Sequence, residues 1–153
     1  MGQSNQDVDK ALRQIVDSAA RYRLAVLRYT DSVYDDTVLN VGMELAESIE
    51  KMEKKYGQNP TRFQFEVSDA LEKIIYAHIA TYKDLGHAVF LGNLGILFEK
   101  DLHIDVVGLL RRISRTTLTV LLWPGEVDEQ RIYFLHKGSK ITINQSDINF
   151  NII

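Results

Sequence analysis

The chain has 153 residues, 45% of them apolar and 25% charged, which is typical of a soluble globular protein, and we expect one domain over residues 1–153. It has no cysteine, which excludes disulfides, thiolate nucleophiles and thiolate metal sites. The net charge of −3 gives no global attraction to nucleic acid or acidic membranes, and because no segment reads as a signal peptide or a membrane span, we expect a cytoplasmic protein.

The first predicted elements are a helix and two short strands. Apolar residues recur at helical spacing over residues 5–20, which predicts an amphipathic helix. The apolar run at residues 23–27 predicts a buried strand, and residues 38–41 predict a second one. The polar link between them, residues 29–36, is too short for a full crossover helix.

Two helices are predicted next. Residues 43–56 place apolar side chains on one face and charged side chains on the other, and residues 57–60 are typical of a helix end. A further helix, capped by its own first residues, Ser and Asp, is predicted over residues 68–79. The stretch before it, which holds Phe63 and Phe65, receives no assignment.

The middle of the chain reads as strand, loop, helix and strand. Residues 88–91 predict a central strand of a parallel sheet. Asp105 is a good N-cap for a helix over residues 106–114. Residues 117–123 then predict another buried strand, which Pro124–Gly125 ends.

The tail alternates apolar and polar residues, which is typical of strands. This pattern predicts a hairpin of residues 131–135 against residues 140–144, followed by a terminal strand. Helices interleaved with parallel-type strands favour an α/β sandwich. We therefore expect a mostly parallel five-stranded sheet with a C-terminal β extension.

The most specific motifs of the chain are FLGNLGILF (residues 90–98), LLRRISR (residues 109–115) and WPG (residues 123–125). Together with weaker similarity at residues 39–45 and in the tail, these motifs resemble the small P-loop protein (BrxF) of type 3 BREX phage-defence systems. The resemblance implies a degenerate P-loop NTPase-like fold, a three-layer α/β sandwich whose second strand lies at the far edge of the sheet.

The chain departs from that family where nucleotide chemistry would take place. A working P-loop needs glycines and a lysine around the phosphates, but residues 29–36 hold neither and carry three aspartates. By the resemblance, the metal-holding acid falls on Gly92, a second acid falls on Gly95, and the polar residue after the tryptophan falls on Pro124. Since phosphoryl transfer requires positioned positive charge and Mg²⁺, we expect no hydrolysis, no cofactor and no bound metal.

Three arginines form a candidate contact for a partner or a phosphate. Arg111, Arg112 and Arg115 lie on the predicted helix and at its end, and Lys137 and Lys140 could extend the basic cluster. Such a cluster is typical of sites that bind nucleic-acid phosphates. The alternative is a solvated helix face, with cations favoured at a helix C-terminus.

Trp123 is the second candidate contact. It lies beyond the carboxyl end of a predicted strand, where ligands bind on such sheets, and tryptophan is a frequent interface anchor. With Tyr29 and Tyr34 it could form an aromatic surface at that edge. The alternative is a core tryptophan that closes the strand.

These residues favour a non-catalytic pseudo-NTPase subunit or adaptor in a bacterial, BREX-like phage-defence complex, acting by binding protein subunits. One alternative is a subunit that hydrolyses nucleotide with groups supplied by a partner. Another is a DNA-binding accessory protein that uses the helix with Arg111, Arg112 and Arg115. The sequence gives neither the identity of the partner nor the oligomeric state.

Overall fold

The computed structural model describes residues 5–28, 37–123, 125–133 and 141–153. Over these residues the chain forms four α-helices, a mostly parallel main sheet and a separate two-stranded hairpin. The α/β class and the mostly parallel sheet predicted from the sequence are therefore confirmed. No helix of this part of the chain has both the length and the apolar character needed to cross a membrane.

The helices are α1 (Asn5–Asp17), α2 (Val41–Tyr56), α3 (Pro60–His78) and α4 (Val106–Ser114). The strands of the main sheet are β1 (Leu24–Leu27), β2 (Val38–Asn40), β3 (Ala80–Tyr82), β4 (Gly86–Gly92), β5 (Leu118–Leu122) and β8 (Asn151–Ile152). The hairpin consists of β6 (Arg131–Tyr133) and β7 (Thr142–Asn144), and two 3₁₀ turns, Leu94–Phe98 and Lys100–Leu102, lead from β4 to α4.

Five strands of the main sheet run parallel in the order β2–β4–β5–β1–β8. The second strand of the chain therefore lies at one edge of the sheet, as expected. β4 pairs with β2 through its last three residues and with the antiparallel β3 through its first three. Consequently, β2 and β3 together cover one side of β4.

Helices pack on both faces of the sheet. Alternate strand residues such as Val26 and Leu91 point to a core that also holds the apolar sides of α2, α3 and α4. The residues between them, such as Ala25 and Phe90, point to a second core that holds the apolar side of α1. This arrangement is compatible with the predicted three-layer sandwich.

The start of α3 differs from the prediction. The helix begins at Pro60, not at residue 68, and the side chain of Asn59 accepts a hydrogen bond from the backbone N–H of Arg62 at 3.2 Å. Proline is favoured at the first helical position because its missing N–H would have no intrahelical partner there. The unassigned Phe63 and Phe65 therefore lie in the first turns of α3.

The sequence prediction also missed β3. This strand forms a tight hairpin with β4 through a turn in which Asp84 and Gly86 have φ angles of 68° and 70°. Glycine adopts such a left-handed conformation without steric cost. Two side chains of β3 are exposed and one is partly buried, so the strand shows no apolar alternation that could have indicated it.

The second half of the chain agrees closely with the prediction. Helix α4 spans the predicted residues, and the side chain of Asp105 accepts a hydrogen bond from the backbone N–H of Gly108 at 3.0 Å, as a cap does. β6 and β7 pair in the predicted antiparallel sense, with Ile132 opposite Ile143. The predicted hairpin ends, residues 134–135 and 140, and the link at residues 29–36 lie outside the described residues.

Candidate functional site

The carboxyl edge of β2 and β4 is where a sheet of this kind would bind a ligand. The two strands end side by side, with Asn40 opposite Gly92. The side-chain oxygen of Asn40 accepts hydrogen bonds from the backbone N–H of Met43 at 3.0 Å and from the side-chain amide of Asn93 at 2.7 Å. The first turn of α2 is therefore capped from within the chain.

Gly42 allows the two strand ends to approach each other. Its backbone N–H donates to the carbonyl of Asn93 at 3.1 Å, and a Cβ atom at this position would lie 2.4 Å from the side-chain nitrogen of Asn93. A residue with a side chain would displace that amide. The glycine thus permits Asn93 to pack against the first turn of α2.

Gly92 is the position that the family resemblance equates with a metal-holding acid. It is buried, and a Cβ atom there would lie 2.8 Å from Cγ1 of Val38 on the neighbouring strand. Val38 is branched at Cβ, so its side chain has few ways to move aside. An acid at residue 92 would require a shift of β2.

Trp123 belongs to the core. Only 2% of its surface is exposed, and its indole N–H donates to the carbonyl of Tyr133 at 2.9 Å. Its ring meets the ring of Phe98 edge to face, with 5.9 Å between the centroids. The tryptophan therefore joins the end of β5 to the hairpin and leaves no surface for a partner. Tyr29 and Tyr34 lie outside the described residues.

Each of the three arginines of the predicted cluster contacts a different residue, and two of them form hydrogen bonds to other groups of the chain. The guanidinium of Arg111 donates to the carbonyl of Asp147, with Nε at 2.9 Å. The guanidinium of Arg112 pairs with the carboxylate of Glu72 on α3, with Nε at 2.8 Å. Both arginines therefore connect α4 to other parts of the structure.

The side chain of Arg115 lies next to Tyr22, apart from the partners of Arg111 and Arg112. Its guanidinium carbon lies 6.0 Å from the centre of the Tyr22 ring, and the guanidinium of Arg21 lies 5.4 Å from the same ring. Lys137 and Lys140, which were expected to extend the cluster, lie outside the described residues. The three arginines accordingly do not form one continuous basic face.

An exposed aromatic face on α3 was not predicted. Phe65 and Tyr76 are 63% and 48% exposed, and Met43 on α2 is the third large apolar side chain of the described residues that is exposed to this degree. Phe65, Glu72 and Tyr76 follow one another at intervals close to whole helical turns, so they lie along one side of α3. We call this side, together with Arg112, the α3 surface.

The sequence contained a signal for this surface. The buried side of α3 is set by Val67, Leu71 and Ile75, and Phe65 and Tyr76 do not fit that spacing. With the helix start placed at residue 68, Phe65 could not be assigned to either side.

Charged groups of the described residues form no metal site, because no three histidine, aspartate or glutamate side chains come together there. A comparison with family models, with curated proteins and with solved structures finds no match. A proposal for the function therefore depends on the chain's own residues and geometry.

Proposed function

We propose that the chain is a non-catalytic, P-loop-like subunit or adaptor that acts by binding protein partners. The complex we propose is a phage-defence assembly of the kind to which the BrxF family belongs. The observation that carries the proposal is the α3 surface, where two exposed aromatic residues lie on either side of a glutamate that pairs with Arg112.

The α3 surface has the composition of a protein interface. Aromatic residues and arginine are enriched at interfaces, and they supply most of the residues whose truncation weakens binding strongly. Phe65 and Tyr76 leave much of their rings in water, which is unfavourable for a face without a partner. Glu72, which lies between them along α3, holds the side chain of Arg112, so less side-chain entropy is lost on binding.

The carboxyl edge of the sheet supports a role without catalysis. The second strand lies at the far edge, as the P-loop resemblance implies. At the ends of β2 and β4, however, Gly92 packs against Val38, and Asn40 and Asn93 cap α2. These residues offer no acid that could hold the Mg²⁺ of a nucleotide.

The partner contact can be tested by purifying the tagged chain from its native cell together with the products of adjacent genes. We expect Phe65→Ser and Tyr76→Ser each to reduce the recovered partner subunits by at least about tenfold, as loss of an interface anchor does. Met43→Ser is the matched control, because Met43 is similarly exposed but lies on α2. Equal recovery with all three variants would contradict the α3 surface as the contact.

The absence of nucleotide chemistry has a separate test. Calorimetric titration of the purified chain with Mg-ATP should give no heat of binding at millimolar nucleotide, because the phosphate and metal ligands are missing. A dissociation constant in the micromolar range would contradict the absence of a nucleotide site. If the chain together with its partner also hydrolysed ATP, a subunit that uses groups from a partner would be favoured over the non-catalytic assignment.

A further inference from the structure

A second surface lies at the amino end of the sheet, around Tyr22. The backbone N–H of Arg23 donates to the carbonyl of Ser114 at 2.8 Å, and the backbone N–H of Thr119 donates to the carbonyl of Arg23 at 2.8 Å. These bonds hold the segment before β1 against the segment that joins α4 to β5. They bring Arg115 close to Tyr22.

Two exposed guanidinium groups meet the ring of Tyr22. The guanidinium carbons of Arg21 and Arg115 lie 5.4 Å and 6.0 Å from the ring centre, within the range of a cation–π contact. Tyr22 itself is partly buried against the core, which fixes the ring. We call Arg21, Tyr22 and Arg115 the Tyr22 patch.

The cations of the Tyr22 patch have no acidic partner among the described residues. The ion pairs of that part of the chain engage Arg62, Lys73 and Arg112. The negative end of α4 favours a cation at Arg115 but not an accumulation of further arginines beside it. Because like charges repel, this arrangement is more favourable when an anion lies between them.

A similar cluster elsewhere in the chain is neutralised. Lys55 and Arg62 each lie 5.3 Å from the ring centre of Tyr56, but Arg62 also forms an ion pair with Glu66 at 2.8 Å. Both clusters therefore hold two cations near one tyrosine ring. Only the Tyr56 cluster supplies its own carboxylate within the described residues.

We propose that the Tyr22 patch binds the phosphate backbone of a nucleic acid. Separate arginines suit a polymer of phosphates, since each guanidinium can donate two hydrogen bonds to one phosphate. The exposed large apolar side chains of the described residues lie on α2 and α3, so the patch lacks the apolar anchors of a protein interface. This role goes beyond the adaptor function and does not depend on it.

The test is fluorescence anisotropy with short labelled oligonucleotides, single-stranded and double-stranded, at about 50 mM salt, where phosphate contacts are strong. The variant Arg21→Gln/Arg115→Gln is compared with Lys55→Gln/Arg62→Gln, which also removes two positive charges beside one tyrosine. We expect at least a tenfold loss of affinity for the first pair and less than about a threefold loss for the second. The slope of log affinity against log salt concentration should fall by the equivalent of about two phosphate contacts for the first pair alone.

Several outcomes would overturn the proposal: no binding by the unaltered chain, equal losses for the two pairs, or displacement of the oligonucleotide by polyglutamate at the same charge concentration. Arg21→Lys/Arg115→Lys keeps the charge but loses the paired hydrogen bonds of the guanidinium, so its affinity should lie between that of the unaltered chain and that of the glutamine pair. If the glutamine pair unfolds, Arg21→Gln alone replaces it. The affinity of Arg21→Gln for the oligonucleotide should then fall by about threefold or more, since one phosphate contact is lost, whereas Lys55→Gln should bind like the unaltered chain. Equal affinity for these two variants would also overturn the proposal.

Discussion

At the scale of single residues, two glycines decide the character of the carboxyl edge. Gly42 and Gly92 each occupy a position where a Cβ atom would lie closer than 3 Å to a neighbouring side chain. Such distances are well inside van der Waals contact, so substitution forces a local rearrangement. The space beside the backbone at these two glycines is filled by the side chains of Asn93 and Val38.

Gly92→Ala should lower the free energy of unfolding by about 1–3 kcal/mol, because the added methyl group collides with Val38. Chemical denaturation measures the loss. The double variant Gly92→Ala/Val38→Ala should lose less stability than the sum of the losses of the two single variants, by about 0.5 kcal/mol or more, because the shortened Val38 side chain no longer collides with the added methyl group. Additive losses would show that the two residues do not interact as described.

Gly92→Asp should be more damaging than Gly92→Ala, because it also buries a carboxylate without a partner. It should not create ATPase activity.

The sequence located these candidate residues but not their neighbours. Trp123 was assigned to the correct strand end, yet its burial depends on a hairpin that reaches it from residues 131–133. Arg112 was assigned to the correct helix, yet its partner Glu72 lies 40 residues away along the chain. Periodicity and capping patterns report local structure, and they carry no information on contacts between residues that are distant along the chain.

At the scale of elements, α3 allows a direct comparison between the predicted and the observed helix start. Asn59→Ala should lower the free energy of unfolding by about 1 kcal/mol, because it removes the side-chain oxygen that caps the helix. Ser68→Ala is the control and should change it by less than about 0.5 kcal/mol, since residue 68 lies inside the helix. Denaturant titration distinguishes the two, and the reverse order of effects would place the cap at residue 68 after all.

An element can be predicted from the sequence when its caps and its apolar spacing lie within or next to its own residues. For α4, the cap at Asp105 and the apolar spacing that follows it gave the observed bounds. For α3, residues 57–60 contain signals both for the end of one helix and for the start of the next, and the two signals overlap within four residues. β3 has three residues and forms because β4 lies beside it, so its own sequence carried little information.

At the scale of the whole molecule, the hairpin and the sheet share one core. Ile132 and Ile143 of the hairpin and Trp123 of the sheet belong to the same cluster of buried side chains. We therefore expect one cooperative unfolding transition, as for a single domain.

The chain has one tryptophan, Trp123, which reports on the contact between hairpin and sheet. Unfolding followed by tryptophan fluorescence and by far-UV circular dichroism should give the same midpoint. Ile143→Ala should lower the stability seen by both probes equally, by about 2–4 kcal/mol, because the residue is 2% exposed. A fluorescence transition that precedes the loss of helix would divide the chain into two units.

β1 is an interior strand of the sheet, and this position affects how the protein is made. Synthesis proceeds from the N-terminus, and the two neighbours of β1 come from residues 118–122 and 151–152. All four side chains of β1 are apolar and buried in the finished fold. The growing chain therefore carries this apolar segment without its partner strands until residues 118–152 have been synthesised. Rapid translation of these residues, or protection by a chaperone, matters more here than in a fold whose neighbouring strands follow each other directly.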